Sequence, residues 1–377
     1  MFRSGHLALF TPEVRGQSRW WVAALLAVSV LVPLGIPQDA AAQIVDVRVL
    51  DFNIHRDIGA ADSNIGSQPE LAKIVNYLKP DVWTINELGG NSSGFNRTTA
   101  HDLLSSFIRN DLTIFGPAPV EGVNYFLYVG EISDGFITNA IVSRYPLLET
   151  QTFSDAGGGF NALRGLELAL VDIPGPTDIG LFTTHLKALN SNNDALRRQA
   201  EANADKATIS TWMSSHTTAA ALLTGDFNES EDPEDATNWS GHRIGDPLPG
   251  TGEPYRPIST LRSVGLFDAM PVSIRGDNDT IDSTNPNARF DYLLYSGDKL
   301  NLSSAMLFDT GQYTSGQLAA LNAANGTNFI AADSAGASDH LPVIAIFTVP
   351  EPGGALLIIC TFVCVCSRRP NCRGNSS

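Results

Sequence analysis

Short apolar segments with the two-residue periodicity of β-strands alternate with amphipathic helical segments along the body of the chain. Strands are predicted at Val45–Ile54, Val82–Asn86, Tyr125–Val129, Phe136–Ser143, Leu166–Asp172, Leu181–His185, Ala220–Leu223, Phe290–Tyr295 and Val343–Val349. Helices are predicted at Pro69–Leu78, Ala100–Ile108 and Asp194–Ser214. This alternation predicts one α/β domain over residues 43–349.

Two further features of this body bear on its surface. The segment 229–289 is rich in Gly, Pro, Asp, Asn and Ser, which predicts long loops around a short helix near Ile258–Val264. Long loops on a rigid scaffold often shape a binding site. In the longest predicted helix, the apolar side chains available for burial are Leu196, Ala200, Ala204, Ala207, Ile209 and Trp212.

The N-terminal end has the organisation of an export signal. A basic stretch precedes an apolar run at Trp20–Leu34, and the small-residue triplet Ala40-Ala41-Ala42 follows just before Gln43. This order predicts a secretory signal peptide over residues 1–42. A membrane anchor is the alternative, but the run of about 15 residues is shorter than the roughly 20 that span a bilayer.

The C-terminal end, residues 350–377, begins with Pro350-Glu351-Pro352, continues with an apolar run at Gly353–Cys366 and finishes with arginines. It resembles the PEP-CTERM sorting signal of Gram-negative bacteria. The resemblance implies a protein exported to the periplasm, cell surface or medium, transient membrane contact through the tail, and a sorting protease that cuts near the triplet. A plain C-terminal membrane tail is the alternative.

The chain is strongly acidic, with 40 Asp and Glu against 24 Lys and Arg and a formal net charge of −16. Such a balance argues against a broad basic surface for polyanions. It does not exclude a phosphate substrate, because a bound dication can supply positive charge locally. All four cysteines lie in the C-terminal tail, so the body must be stable without disulfides.

Polar residues suited to catalysis stand repeatedly at the ends of the predicted strands. They are Asn53, Glu87, His185, Gly225-Asp226-Phe227-Asn228, Asp291 and Ser338-Asp339-His340. Phosphodiester cleavage needs a hard cation to neutralise the phosphoryl oxygens, and Mg²⁺ binds mainly to oxygen ligands such as carboxylates. The set therefore contains the ligand types that metal-assisted phosphoester cleavage requires.

The order of these motifs resembles the endonuclease/exonuclease/phosphatase (deoxyribonuclease I-like) superfamily over most of the body. The resemblance implies an α/β four-layer sandwich of two packed mixed β-sheets flanked by helices, in a monomer. Together with the predicted signal peptide, it implies a secreted hydrolase of phosphoesters, with an extracellular endonuclease or phosphodiesterase, acting on nucleic acid, as the first choice. A sphingomyelinase-like or small-phosphoester (inositol-phosphate-like) phosphatase is the close alternative. A catalytically inactive surface-binding module is the alternative of another class.

The resemblance also implies roles for individual residues. Asn53, Glu87 and Asp339 hold Mg²⁺ or Mn²⁺, with Glu87 as the main ligand. Asp226 and Asn228 orient the attacking water and hold the substrate oxygens.

The two motif histidines have different expected roles. His340 is the general base, and Asp291 fixes its tautomer. His185 faces the phosphate from the opposite side; its carboxylate partner stays open, with Glu131 as one candidate.

Arg164 is a candidate phosphate ligand, with an ordinary surface cation as the alternative. Many relatives carry Gln before the metal-binding Glu, whereas this chain has Asn86. The histidines without motif support are predicted to be structural or exposed: His55, His101, His216 and His242.

Overall fold

The computed structural model describes residues 45–58, 68–90, 94–155, 161–175, 177–189, 191–231, 245–281 and 287–349. The predicted signal peptide (1–42) and the predicted sorting tail (350–377) lie outside these described residues. Within the described part, no helix combines the length and the apolar character that a bilayer crossing requires.

In the described residues, twelve strands form two six-stranded mixed sheets. The first sheet has the order β11 (Asn301–Leu307), β12 (Val343–Val349), β1 (Val45–Asn53), β2 (Val82–Gly89), β4 (Ile137–Ser143) and β3 (Phe126–Val129). The second has the order β5 (Leu147–Asp155), β6 (Asn161–Val171), β7 (Ile179–His185), β8 (Ala220–Asp226), β10 (Asp291–Ser296) and β9 (Leu266–Asp268). Each sheet has one parallel pair at its centre, β1–β2 and β7–β8, among antiparallel neighbours.

Helices cover the outer face of each sheet. The first sheet packs against α1 (Gln68–Leu78), α2 (Arg97–Asp111), α5 (Ser315–Asn325) and α6 (Asp333–Ala337), and the second packs against α3 (Asn192–Ser215) and α4 (Pro257–Arg262). A separate apolar cluster fills the space between the sheets, with Val47, Val49, Leu181 and Leu222 among its fully buried members. The predicted four-layer α/β sandwich is therefore confirmed.

Helix α3 differs from its prediction in the face that it buries. Its start is set by a capping box between Ser191 and Asp194. Toward its C-terminus it buries Ile209 and Trp212 as expected, but between residues 195 and 205 it buries mostly polar side chains, and Ala207 is exposed. The buried polar residues are Arg198, Gln199, Glu201 and Asp205. The prediction was wrong here because a polar face can be buried wherever partners satisfy it.

The sheet register places the polar residues that end the central strands at one end of the sandwich. Asn53 at the end of β1 pairs with Asn86 of β2, and His185 at the end of β7 pairs with Asp226 of β8. Strand β10 runs antiparallel to β8 and starts at Asp291, opposite Asp226. At the opposite end of the sandwich, Val45 pairs with Val349. The first and last described residues of the domain therefore lie away from the end that carries the polar residues.

Candidate active site

Glu87 reaches the site through an unusual backbone. Its φ is +59°, and the pairing of β2 with β4 shifts register between Ile85 and Leu88. A left-handed conformation costs a non-glycine residue of order 1–3 kcal/mol and is concentrated at functional sites. Here it turns the carboxylate into a cavity at the polar end of the sandwich, where Glu87 is one of the lining residues.

Asn53 connects the two sheets at the floor of this cavity. Its amide nitrogen donates to Glu87 Oε1 at 3.3 Å and to Asp226 Oδ2 at 3.0 Å. Its amide oxygen accepts the backbone N–H of His55 at 3.0 Å. In this arrangement Asn53 holds the two carboxylates in place, and its side chain would have to turn over to offer the oxygen to a cation.

Asp226 is fully buried at the centre of the site. Its backbone N–H donates to Asn86 Oδ1 at 3.0 Å, and its carboxylate accepts the backbone N–H of Asn228 at 2.8 Å. Burial raises the pKa of Asp226 to about 7; the charge of His340 opposes the shift, and the nearby carboxylate of Asp291 adds to it. Closely packed carboxylates of this kind favour a bound cation.

Asn86, the residue before Glu87, joins β2 to three other strands. Besides accepting from Asp226, its amide donates to Asn139 Oδ1 at 2.9 Å, Thr183 Oγ1 at 3.3 Å and the Thr184 carbonyl at 3.2 Å. The side chain of Asn86 thus ties the strand of Glu87 to the strands of the second sheet.

His340 and Asp291 form a buried pair. His340 Nδ1 lies 2.8 Å from Asp291 Oδ2, and Nε2 lies 3.7 Å from Asp226 Oδ2. Burial by itself lowers the pKa of His340, but the carboxylates of Asp291 and Asp226 outweigh it and raise that pKa well above its ordinary value. Asp291 is fixed in turn because its backbone N–H donates to Thr280 Oγ1 at 3.0 Å.

His185 faces the same carboxylates from the opposite wall. Its Nε2 lies 3.3 Å from Asp226 Oδ2 and 4.0 Å from Glu87 Oε1. Burial, together with the nearby positive charge of Arg164, lowers the pKa of His185 well below its ordinary value. The candidate partner Glu131 does not lie here: it is exposed and lies 3.3 Å from Arg97.

Arg164 lines the cavity but is largely committed to the protein itself. Its guanidinium donates to the carbonyls of His185 at 3.1 Å and Leu186 at 2.7 Å, and to Asp134 at 3.1 Å. It therefore fixes the end of β7. Asn228, with φ of +50°, likewise donates its side-chain amide to the Leu186 carbonyl at 3.1 Å.

Asp339 lies at the mouth of the cavity and is exposed. Its carboxylate lies 3.3 Å from His55 Nδ1. His55 belongs to none of the motifs, yet its ring contacts Asp339 and its backbone N–H donates to Asn53. Among the predicted metal ligands, Glu87 and Asn53 are thus in direct contact, and Asp339 stands apart on the rim.

The donor set fits a hard divalent cation. Two groups of carboxylate and imidazole ligands have their ligand atoms within 4.8 Å of one another, Glu87–His185–Asp226 and Asp226–Asp291–His340. In the described part of the chain, Asp291 Oδ1 is buried without a hydrogen-bond partner. Glu87 and Asp226 would hold Mg²⁺ or Mn²⁺ by these criteria. A cation bound there supplies positive charge that offsets the carboxylates and the phosphoryl oxygens.

The cavity itself has a volume of about 370 Å³ and combines polar and apolar walls. The polar side chains described above form its floor. The apolar wall consists of Ala188, Leu189, Ile281 and Phe290, and Leu189 is 72% exposed. Arg198, which sequence reasoning passed over, also lines the cavity from α3.

Arg198 belongs to the polar face of α3 that the hydrophobic pattern missed. The spacing of Arg198, Glu201 and Asp205, three and then four positions apart, places them on one helix face. That spacing is the signal that would have found them. Arg198 donates to Tyr255 at 2.6 Å and to the Leu189 carbonyl at 3.1 Å.

Comparisons with known proteins identify the family and the fold. A family model described as the endonuclease/exonuclease/phosphatase family matches residues 52–340. A similar solved structure is an endonuclease/exonuclease/phosphatase from Beutenbergia cavernae, with 17% identity and a TM-score of 0.52 over 81% of this chain and 72% of that one. Another, a family protein from Bacteroides thetaiotaomicron, has 15% identity and a TM-score of 0.51 over 82% and 99% of the two chains. No curated protein matches the sequence.

Proposed function

The chain belongs to the endonuclease/exonuclease/phosphatase family, and on that premise we propose that this phosphoester hydrolase is an exported, Mg²⁺- or Mn²⁺-dependent phosphodiesterase that binds one phosphodiester group at a time. Nucleic acid outside the cytoplasm is one such substrate, cleaved with little sequence preference. The observation that carries the proposal is the placement of two imidazoles on opposite walls of a cavity whose floor is a cluster of carboxylates.

The side chains divide the chemistry as follows. Asp291 holds the Nδ1 proton of His340, so Nε2 is the atom that exchanges a proton with the cavity. A bound cation would offset the negative charge of Asp226. The pKa of His340 would then fall toward the range in which its Nε2 accepts a proton from water at neutral pH. His185 stands opposite, where its Nε2 can donate a hydrogen bond to a phosphoryl or leaving oxygen.

Substrate binding rests on few cationic groups. Arg164 and Arg198 line the cavity, but both are buried and donate to backbone carbonyls or protein side chains. Lys187 lies 3.0 Å from Asp194. With a net charge of −16, the chain has little positive charge to release counterions along a duplex. These observations support contact with about one phosphate and a weak dependence of binding on salt.

The apolar wall supports small diesters as substrates too. Leu189 and Ile281 offer contact area to an organic alcohol group but no hydrogen bonds to bases.

A substrate panel on the purified body tests the proposal. Bis(p-nitrophenyl) phosphate, p-nitrophenyl phosphate, single- and double-stranded DNA, RNA and sphingomyelin would be assayed with Mg²⁺, Mn²⁺ or excess chelator, at low and moderate salt. We expect metal-dependent turnover of the small diester and of DNA, with a KM for DNA that changes little with salt. A steep salt dependence of the DNA KM together with inactivity on the small diester would contradict the proposal and indicate a dedicated duplex nuclease. Full activity in chelator would contradict the metal requirement.

A further inference from the structure

The ring of His185 has one nitrogen that the active-site arrangement does not explain. Nε2 points to Asp226, whereas Nδ1 is buried and, among the described residues, has no hydrogen-bond partner. A neutral imidazole has one donor and one acceptor nitrogen. A buried ring nitrogen without a partner is destabilising, so such atoms usually contact a water molecule or another polar group.

A second, small cavity has His185 among its lining residues and is called the cavity behind His185. It is lined by polar side chains of the strand ends and of α3, with a volume of about 10 Å³. Its polar lining residues are Arg164, Thr184, His185, Glu201 and Asp205. A single water molecule needs about 10–15 Å³ and two to four polar partners. The cavity therefore matches one water in both size and lining.

Asp205 is the lining group best suited to complete this contact. It is 6% exposed, and Thr184 Oγ1 donates to its Oδ2 at 2.9 Å. Burial, with a smaller contribution from the charge of Glu201, raises the pKa of Asp205 to about 8. At neutral pH the carboxyl is therefore mostly protonated and has a hydrogen to donate. Glu201, by contrast, already accepts from the Lys187 backbone at 2.7 Å and from Arg197 at 3.2 Å.

We propose that this cavity binds one ordered water that bridges the Asp205 carboxyl to His185 Nδ1, and that Asp205 is thereby a positioning residue for the reaction. The inference rests on the proposed function for its catalytic meaning. In this arrangement Asp205 donates to the water, and the water donates to the Nδ1 lone pair. The ring proton of His185 is then held on Nε2, the nitrogen that faces Asp226 and the substrate cavity.

The two imidazoles are consequently held in opposite tautomers. Asp291 is an anionic acceptor that keeps a proton on His340 Nδ1 and leaves Nε2 to act as a base. The water behind His185 is a donor that keeps Nδ1 unprotonated and leaves Nε2–H to donate to the substrate. His340 has a direct, anionic partner and therefore serves as the base. His185 has a neutral partner, bridged by water, and therefore serves as the hydrogen-bond donor.

Nitrogen NMR of the metal-free protein tests the proposal without relying on turnover. Two-dimensional ¹⁵N–¹H spectra of histidine-labelled protein distinguish protonated from unprotonated ring nitrogens, and a His185→Gln sample assigns the signals. We expect the Nε2–H form of His185 in the wild type. Asp205→Asn should retain it, because an amide N–H can donate to the water as the carboxyl does. Asp205→Leu, and Thr184→Val as an isosteric second variant, should shift the population toward Nδ1–H.

A matched control is available in Glu167. It is also a fully buried carboxyl that accepts from a threonine hydroxyl, Thr152, but it does not line the cavity behind His185. Glu167→Gln should leave the His185 tautomer as in the wild type. In assays with a small diester, Asp205→Leu should lower kcat about tenfold or more with KM unchanged, the usual range for groups that orient a catalytic imidazole.

Two results would overturn the inference. One is an Nδ1–H form of His185 in the wild type. The other is an unchanged tautomer in folded Asp205→Leu and Thr184→Val samples, with folding checked by circular dichroism. Because the tautomer is read in the absence of substrate and metal, a protein that hydrolysed no phosphoester would refute the proposed function and leave the water bridge to be judged by its own spectra.

Discussion

The contact between His340 and Asp291 allows a quantitative prediction for the variant Asp291→Asn. Both side chains are buried, and His340 Nδ1 lies 2.8 Å from Asp291 Oδ2. The substitution removes the negative charge and keeps the size and shape of the side chain. Opposite unit charges about 4 Å apart interact by about 4 kcal/mol at an effective dielectric constant of about 20.

This energy sets the expected loss of activity. If it stabilises the imidazolium that forms when His340 accepts a proton, its removal lowers kcat by about 10²–10³-fold. KM should change little, because neither atom of the pair binds ground-state substrate. The sign of the pH effect also follows: the carboxylate raises the pKa of His340, so its removal lowers that pKa. The acidic limb of the kcat–pH profile should move to lower pH.

Steady-state kinetics on a small diester, across pH, would measure both effects. The matched control is Asp309→Asn, which alters another buried carboxylate, one that accepts from the Gly311 backbone at 2.8 Å and does not line the cavity. It should leave kcat nearly unchanged. The reasoning is refuted if Asp291→Asn and His340→Ala are additive in free energy when combined, because residues that act as a pair must couple.

Four further predictions concern the metal, the fold, the linkage to pH and export. Glu87→Ala or excess chelator should abolish turnover while circular dichroism shows an intact fold; retained turnover would argue against a cation at Glu87. Gly225→Ala should lower the free energy of unfolding by about 1–3 kcal/mol or more, because a Cβ there would lie 1.9 Å from a backbone oxygen of the neighbouring strand and φ is +136°; denaturant melts would show it, and an unchanged midpoint would contradict the clash. The pKa of Asp205 is raised to about 8 in the folded state, against about 3.9 in the unfolded chain, so between about pH 4 and 8 the carboxyl ionises only on unfolding. This favours the unfolded chain increasingly as pH rises, by at most about 1.4 kcal/mol per pH unit. In urea melts, the free energy of unfolding of Asp205→Asn relative to the wild type should therefore be larger at pH 8 than at pH 5. An equal difference at the two pH values would refute the linkage. Intact-mass measurement of the native protein should show a start near Gln43 and an end near Pro350, whereas a full-length cytoplasmic species would refute export.

The central strands and the order of the motifs could be predicted from the sequence because both depend on local pattern. A strand buried on both faces reads as a short apolar run, and a polar residue that ends such a run is conspicuous. Elements with one exposed face carry a weaker signal. Strand β11 is mostly exposed, and helix α5 buries only Leu318, so neither was predicted.

The roles within the site depended on contacts that no local pattern contains. Asn86 and Asp226 are 140 positions apart and meet only because the two sheets pack face to face. Asn53 was predicted as a metal ligand from its motif, but the packing turns its amide nitrogen toward Glu87 and Asp226. His55 had no motif and nevertheless lies 3.3 Å from Asp339.

The fold class, the family and the chemical types of the site residues follow from the amino-acid sequence, since periodicity and motif order are properties of the chain. The face of α3 that is buried, and with it the place of Asp205 in the cavity behind His185, depends on how the layers pack. Apolar spacing favoured the other face in the first half of that helix. Burial of a polar face is stable only when partners from distant strands satisfy it, and those partners are fixed by the packing of the layers rather than by the helix's own residues.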